Sequence, residues 1–245
     1  MTISLNKKQK IVLAIIALAL IGGGVFLVSR KPKDTPEEIV KLPPQAEPLT
    51  INEMPVVRLT PKEGGHKLTL YLASQQELTD NKIEYELIYY LEDGLSKGAI
   101  GEIKLENGKG EKEILLGTCS RDICRYDEGV TGGEVIISLA KNGQLHSFET
   151  KFSFLTSSSP YQTKGVTITT DNGPLLILIG GGLPGPIADN QKILVGPVVI
   201  SSEIASETVN IEPEEGIILA WNKNVWEEVK ETQNLSPGTY LIVNQ

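Results

Sequence analysis

This 245-residue sequence predicts an all-β protein that is held to a membrane by one apolar segment near its N-terminus. Three observations lead to this prediction. Apolar and polar residues alternate over most of the chain after residue 55, as they do in half-buried strands. An uncharged run covers residues 11–28, and a proline-rich segment separates it from the alternating region. We therefore expect two tandem β-sandwich domains that follow a single transmembrane helix and a Pro-rich linker.

The apolar run from Ile11 to Val28 contains no charged residue. A helix of about this length crosses a hydrocarbon core of about 30 Å. We expect a signal-anchor helix over residues 11–28, with residues 1–10 in the cytoplasm. A cleaved signal peptide is the alternative, because the first part of the run has the length of its apolar centre and Gly22 to Gly24 follow as a cleavage region.

Charge is divided unevenly along the chain. Residues 1–33 hold six of the 23 basic residues and none of the 31 acidic ones, which leaves the remainder with a net charge of −14. We expect no nucleic-acid partner, because nucleic-acid-binding proteins place positive charge where they touch phosphate. Three basic residues flank each side of the apolar run, so the orientation is chosen on context. The features of the C-terminal part favour a single-pass protein of the cell membrane with its C-terminal domains extracytoplasmic.

Prolines recur between Pro32 and Pro55, mixed with Glu, Lys and Thr and without any aromatic residue. Such a segment lacks the apolar residues that a core needs, and its composition is typical of semi-rigid, polyproline-like spacers. The sequence therefore predicts a stalk over residues 29–55.

Residues 56–156 carry the clearest strand pattern. Leu68, Leu70 and Leu72 share one face of a strand, and a longer strand presents one apolar face made of Ile83, Tyr85, Leu87, Tyr89 and Leu91. Asn or Asp stands before Gly between the strands and supplies the positive φ of tight hairpins, at Asp93-Gly94, Asn107-Gly108 and Asn142-Gly143. About seven short strands in about a hundred residues are typical of an immunoglobulin-like sandwich.

Small polar residues and a proline interrupt the pattern at Thr156 to Pro160, which predicts a linker over residues 157–164. Strand-like segments then resume, including the wholly apolar stretch from Leu175 to Ile179. We expect a second β-sandwich module over residues 165–245.

The end of the chain combines a strand at Gly216 to Trp221, a second tryptophan in Val225 to Val229, and a Gly-x-Tyr strand at Pro237 to Ile242. In this order it resembles the closing strands of bacterial cell-surface β-sandwich modules of the immunoglobulin-like kind. The resemblance covers about the last 30 residues. It implies an accessory module on a surface protein rather than an activity.

Cys119 and Cys124 lie close together between two predicted strands. In an exported chain this spacing predicts a disulfide that staples the loop. A zinc site needs three or four ligands, and only His66 and His146 could add nitrogen ligands, from distant positions. We therefore expect no metal and no cofactor.

An enzyme is the first alternative. Thr118-Cys119 resembles the Thr-Cys strand end of sortase-like cysteine transpeptidases, His66 their upstream histidine and Arg125 their arginine. The resemblance implies that His66 assists the thiol of Cys119 and that Arg125 steadies the oxyanion. The second cysteine and the segment Tyr126 to Gly129 depart from that family, so we predict that no residue is catalytic.

Trp221 and Trp226 face each other across a hairpin if its turn is Lys223-Asn224. Such a pair either packs structurally or offers rings on which a sugar stacks. Glycan binding is therefore a further hypothesis. The function that we favour is that of a non-catalytic scaffold or interaction module, which contacts another envelope protein or a cell-wall component.

Overall fold

The computed structural model describes residues 47–121, 123–171, 173–204 and 206–244. Within them, one turn of 3-10 helix, η1, covers Glu63–Gly65. The remaining regular elements are strands: β1 Val56–Lys62, β2 Lys67–Ala73, β3 Lys82–Leu91, β4 Ser96–Lys104, β5 Lys109–Leu115, β6 Gly117–Ser120, β7 Ile123–Tyr126, β8 Val130–Lys141, β9 Gln144–Leu155, β10 Tyr161–Thr163, β11 Val166–Thr169, β12 Leu175–Ile179, β13 Ile193–Ser201, β14 Asn210–Pro213, β15 Ile217–Asn222, β16 Val225–Glu228 and β17 Thr239–Val243. The all-β prediction is confirmed.

Strand alternation is confirmed in the first half of the chain. Leu68, Leu70 and Leu72 are fully buried in β2, and every second residue of β3 from Ile83 to Tyr89 is buried. The hairpin between β8 and β9 turns at Asn142-Gly143, where both residues have positive φ, 52° and 73°. A two-residue turn of this kind matches the twist of the strands that it joins.

Nine strands form one antiparallel sheet in the order β16-β15-β17-β13-β12-β9-β8-β3-β4. The pairing of β9 with β12, near the middle of this sheet, joins its two halves, with Phe154 opposite Leu176 and Phe152 opposite Leu178. The sequence predicts a linker over residues 157–164 between two separate sandwiches, whereas this sheet continues across the predicted boundary. After β9 the chain leaves the nine-stranded sheet through the polar segment 156–160, and it returns to the sheet at β12. It returns there because the apolar strand β12 pairs on both of its edges, with β9 and with β13.

Two smaller sheets, β1-β2-β5 and β10-β11-β14, contribute to two different cores. Leu176 and Leu178 of β12 belong to the core with β1, β2 and β5. Leu175 and Ile177 belong to the core with β11 and β14. Because successive side chains of a strand point to opposite faces, the small sheets cover opposite faces of the large one. This double burial explains why β12 is apolar at every position.

The described part of the predicted stalk contacts the strands that follow it, β1 to β17, which we call the β-body. Leu49 is 8% exposed, the Glu53 carboxylate lies 2.7 Å from the Lys141 ammonium, and the Pro55 carbonyl accepts a hydrogen bond from the amide of Gly182. Residues 47–55 accordingly belong to the same compact unit as the strands. The predicted stalk therefore extends too far at its C-terminal end. Leu49, Ile51 and Met54 pack against the cores, although the many prolines around them are typical of a spacer.

The predicted cytoplasmic segment, residues 1–10, and the predicted membrane helix, residues 11–28, lie outside the described residues. Among the residues that the structure does describe, no helix has the length and apolarity that crossing a bilayer requires.

Candidate functional site

A β-hairpin made of β6 and β7 stands apart from the larger sheets. In the described part of the chain its two strands pair only with each other. Every described residue from Thr118 to Arg125 is exposed, and the Ile123 side chain is 73% exposed. A segment with this exposure adds little to a core and is free to contact another molecule. We call residues 117–126 the contact hairpin.

The two faces of the contact hairpin differ. Thr118 lies opposite Arg125 and Ser120 opposite Ile123, and these two pairs share one face. Cys119 lies opposite Cys124 on the other face, where their Sγ atoms are 2.00 Å apart. This distance fits the disulfide that the spacing predicts. The bridge therefore holds the strands together from one side and leaves the opposite face open.

The open face carries unpaired positive charge. The chain has four arginines, and two of them, Arg121 and Arg125, lie in this hairpin. Neither guanidinium makes an ion pair with any residue that the structure describes. They line an open concavity of about 620 Å³ together with Thr118, Ser120 and Ile123. Guanidinium groups bind carboxylates and phosphates through two parallel hydrogen bonds, and hydroxyls add further donors.

Asp127 fixes the base of the contact hairpin. Its amide donates to the Leu116 carbonyl at 2.9 Å, and its carboxylate accepts from the Tyr89 hydroxyl at 2.6 Å and from the Lys97 ammonium. The hydrogen bonds from Lys97 and then Tyr89 hold the pKa of Asp127 below its ordinary value. Burial, followed by the Asp127 hydrogen bond, raises the pKa of Tyr89. The network ties the hairpin to β3 and β4.

An aromatic contact supports the same base. The His66 ring stacks on the Tyr126 ring with centroids 4.6 Å apart and planes inclined by 27°. The His66 carbonyl also accepts a hydrogen bond of 2.9 Å from the Leu116 amide. The contact hairpin is thus held at its base by Tyr126 and by the flanking residues Leu116 and Asp127, and the disulfide joins its two strands.

The residues of the transpeptidase hypothesis are partly brought together. His66 lies at the base of the contact hairpin and Arg125 lies in it, as does Cys119. The Cys119 sulfur is bonded to Cys124, however, and the His66 ring contacts Tyr126. In this bridged form Cys119 offers no thiol for His66 to activate, since a thiolate is the nucleophile in cysteine catalysis.

The tryptophan pair occupies a different environment. Trp221 and Trp226 lie opposite each other in β15 and β16, with ring centroids 5.1 Å apart in an edge-to-face arrangement. The Trp226 indole N–H donates to the Gly185 carbonyl at 3.0 Å. A Cβ at Gly185 would stand only 2.3 Å from the Trp221 ring, so the loop that contains Gly185, between β12 and β13, packs directly on that ring. These contacts favour a packing role over a platform for sugar rings.

No group of three or more His, Cys, Asp or Glu side chains in the described ranges is arranged to hold a metal ion. Ser120 and Ile123 on the open face were not singled out by sequence reasoning. The signal that would have found them is the alternation around a two-residue turn, which places them on the face opposite the cysteines.

Comparison with known proteins adds no relative: no family model matches the chain, and neither a curated protein nor a solved structure is significantly similar to it. The resemblance of the closing strands to bacterial surface modules therefore stays a prediction.

Proposed function

We propose that this chain is a membrane-anchored, extracytoplasmic and non-catalytic interaction module, and that the contact hairpin is the surface with which it binds another protein. The β-body, with its two sandwich-like halves, acts as a rigid spacer between that surface and the membrane. One observation carries the proposal: a disulfide-stapled hairpin, none of whose described residues belongs to a core, presents beside an exposed isoleucine two arginines that form no ion pair with any described residue.

The composition of the open face supports a protein partner. Arginine is enriched at the centres of protein interfaces, where its fork pairs with carboxylates and its stem packs on apolar groups. Ile123 supplies the apolar contact between Arg121 and Arg125. Because the bridge and the base contacts order the hairpin before binding, less conformational entropy is lost when a partner docks.

The disulfide supports an extracytoplasmic location. Both cysteines are exposed, and an exposed disulfide persists in oxidising compartments, whereas cytosolic reductants open it. This agrees with an anchor over residues 11–28 that leaves the β-body outside. A cytosolic position for a reporter fused after residue 245 would contradict the proposed topology.

Site-specific photocrosslinking in intact cells tests the contact surface. A photoreactive residue replaces Ser120 on the open face in the full-length chain, and a second chain carries it at Lys230, which is exposed in the region after β16. We expect a discrete protein adduct from position 120 and none from position 230. We also expect the adduct from position 120 to disappear when Arg121 and Arg125 are replaced by alanine. Equal labelling from positions 120 and 230 would overturn the proposal.

Single cysteine variants separate this proposal from the transpeptidase hypothesis. Cys119→Ala and Cys124→Ala open the same bridge, so an interaction module responds alike to both. A cysteine transpeptidase loses activity only when its nucleophile is removed. Transpeptidation of envelope proteins that is lost in Cys119→Ala and persists in Cys124→Ala would identify an enzyme.

A further inference from the structure

A further surface feature lies on the outer face of the large sheet, where β3 lies between β4 and β8. It is an open groove of about 480 Å³ whose lining includes six residues with side chains on the outer face: Glu84, Glu86, Ile100, Glu102, Ile136 and Ser138. We call it the outer groove. Its residues alternate with the buried ones of the same strands, so their side chains point away from the core.

The outer groove combines negative charge with apolar surface. Glu86 lies opposite Ile100 on one side and opposite Ile136 on the other. Ile100 is 80% exposed, the largest exposure among the large apolar residues that the structure describes. Glu84 and Glu86 make no ion pair with any described residue, while Glu102 pairs with Lys82 at 3.0 Å. Unpaired carboxylates beside an exposed isoleucine indicate a surface suited to a basic, partly apolar partner.

The contact hairpin has the complementary character. Its two guanidinium groups, with Ile123 between them in the chain, form no ion pair with any described residue. The outer groove offers two carboxylates, Glu84 and Glu86, of which the same is true, with Ile100 beside them. Carboxylates and guanidinium groups form the strongest charge-assisted hydrogen bonds of protein side chains. The two isoleucines would be removed from water in the same contact, which favours association in proportion to the area buried.

The two features lie on opposite sides of the same sheet. The contact hairpin is tied through Asp127 to Tyr89, which is buried on the core face of β3. Glu84 and Glu86 occupy the outer face of β3, because they are an odd number of residues away from Tyr89. The base of the contact hairpin therefore lies on the face of β3 opposite the outer groove of the same molecule, which favours docking with a second copy over docking within one copy.

We infer that the contact hairpin of one copy docks in the outer groove of a second copy. The inference rests on the proposed function, since it names the partner of the same hairpin. A contact between two different surfaces of identical chains is heterologous, and it extends into an open row when the geometry does not close. Copies anchored in one membrane would form such rows along its surface.

Sedimentation of the purified full-length chain in detergent micelles, as a function of concentration, tests this contact. Wild type is expected to associate, and Arg121→Glu/Arg125→Glu or Glu84→Lys/Glu86→Lys lowers the association constant by roughly tenfold or more. Each variant alone places like charges in the contact. The two variants mixed in equal amounts restore opposite charges in every contact, so association is expected to return in the mixture.

Lys164→Glu/Lys230→Glu is the matched control, because it reverses two exposed positive charges away from both surfaces. It is expected to associate like wild type. The inference is overturned if wild type stays monomeric, if the mixture of reversed variants does not associate, or if the control dissociates to the same extent as the hairpin variant. A monomeric wild type that still gives the adduct from position 120 with a different protein leaves the proposed function standing.

Discussion

Two hairpins of this protein share one local design and differ in what surrounds them. In the contact hairpin, Cys119 lies opposite Cys124, and one further pair, Ser120 and Ile123, follows toward the turn. In β15 and β16, Trp221 lies opposite Trp226, one further pair follows, and Lys223-Asn224 form the turn. The cross-strand pair therefore stands at the same distance from the turn in both.

The difference lies in the neighbours. β15 pairs with β17, so the tryptophan hairpin extends the large sheet and its rings pack on the loop at Gly185. The contact hairpin pairs with no other described strand. An isolated two-stranded hairpin is marginally stable in water, and the covalent bridge compensates for the missing neighbours. Packing makes one hairpin part of the large sheet, and the disulfide holds together the other, whose described residues from Thr118 to Tyr126 are exposed.

Removing a tryptophan gives the largest expected effect. Trp226→Ala deletes the ring that contacts Trp221 and the hydrogen bond to Gly185, and we expect the free energy of unfolding to fall by about 2–3 kcal/mol. Urea denaturation measures it. Ile123→Ala in the contact hairpin is the matched comparison, and it is expected to change stability by less than about 0.5 kcal/mol. Equal losses in the two variants would remove the distinction between the hairpins.

Opening the disulfide comes next. Cys119→Ser/Cys124→Ser opens a short closed loop, so the free energy of local opening of the contact hairpin is expected to fall by about 2 kcal/mol, at the small end for disulfides. Because the contact hairpin has no other strand partner in the described part of the chain, the loss should be local. Hydrogen exchange should show faster exchange in residues 117–126 and unchanged protection in β3 and β8. Faster exchange throughout β3 would mean that the bridge stabilises the whole body.

The smallest expected effect on stability comes from Asp127, which anchors the base of the contact hairpin. Asp127→Asn replaces the charged acceptor of Tyr89 and Lys97, with an expected loss of about 1 kcal/mol at neutral pH. The folded-state pKa of Asp127 is lowered, so its stabilisation is complete above the unfolded-state pKa and is lost as pH falls through the folded-state value.

Urea denaturation at neutral pH and at successively more acidic pH checks the sign. The stability difference between wild type and Asp127→Asn should shrink on acidification. Asp189→Asn, at an exposed position, serves as the control and should show no difference at any pH. A difference for Asp127→Asn that grows with acidity would contradict the assigned network.

Sequence reasoning succeeded where the signal is local. The faces of β2 and β3 follow from alternation, since side chains of a strand point to opposite sides in turn. It failed where burial comes from distant residues. Leu49, Ile51 and Met54 stand in a proline-rich stretch that looks like a spacer, and only contacts with the body reveal them as packed residues.

The candidate site shows the same division. The spacing of Cys119 and Cys124 indicated a bridge, because two cysteines flanking a short turn come close in any hairpin. Nothing in that spacing told whether the hairpin would join a sheet or project from it. The outer groove was likewise not predicted, because its lining residues come from three strands whose order in the sheet is not local information.

By itself, the sequence determined the strand class, the alternating faces and the turns, because these depend on residues within a few positions of each other. Tertiary structure alone decided that β9 and β12 join the halves in one sheet, that residues 47–55 pack on the strands, and that the contact hairpin pairs with no other described strand. The reason is that strand pairing joins backbone groups far apart in the chain, and any exposed strand edge can accept a partner.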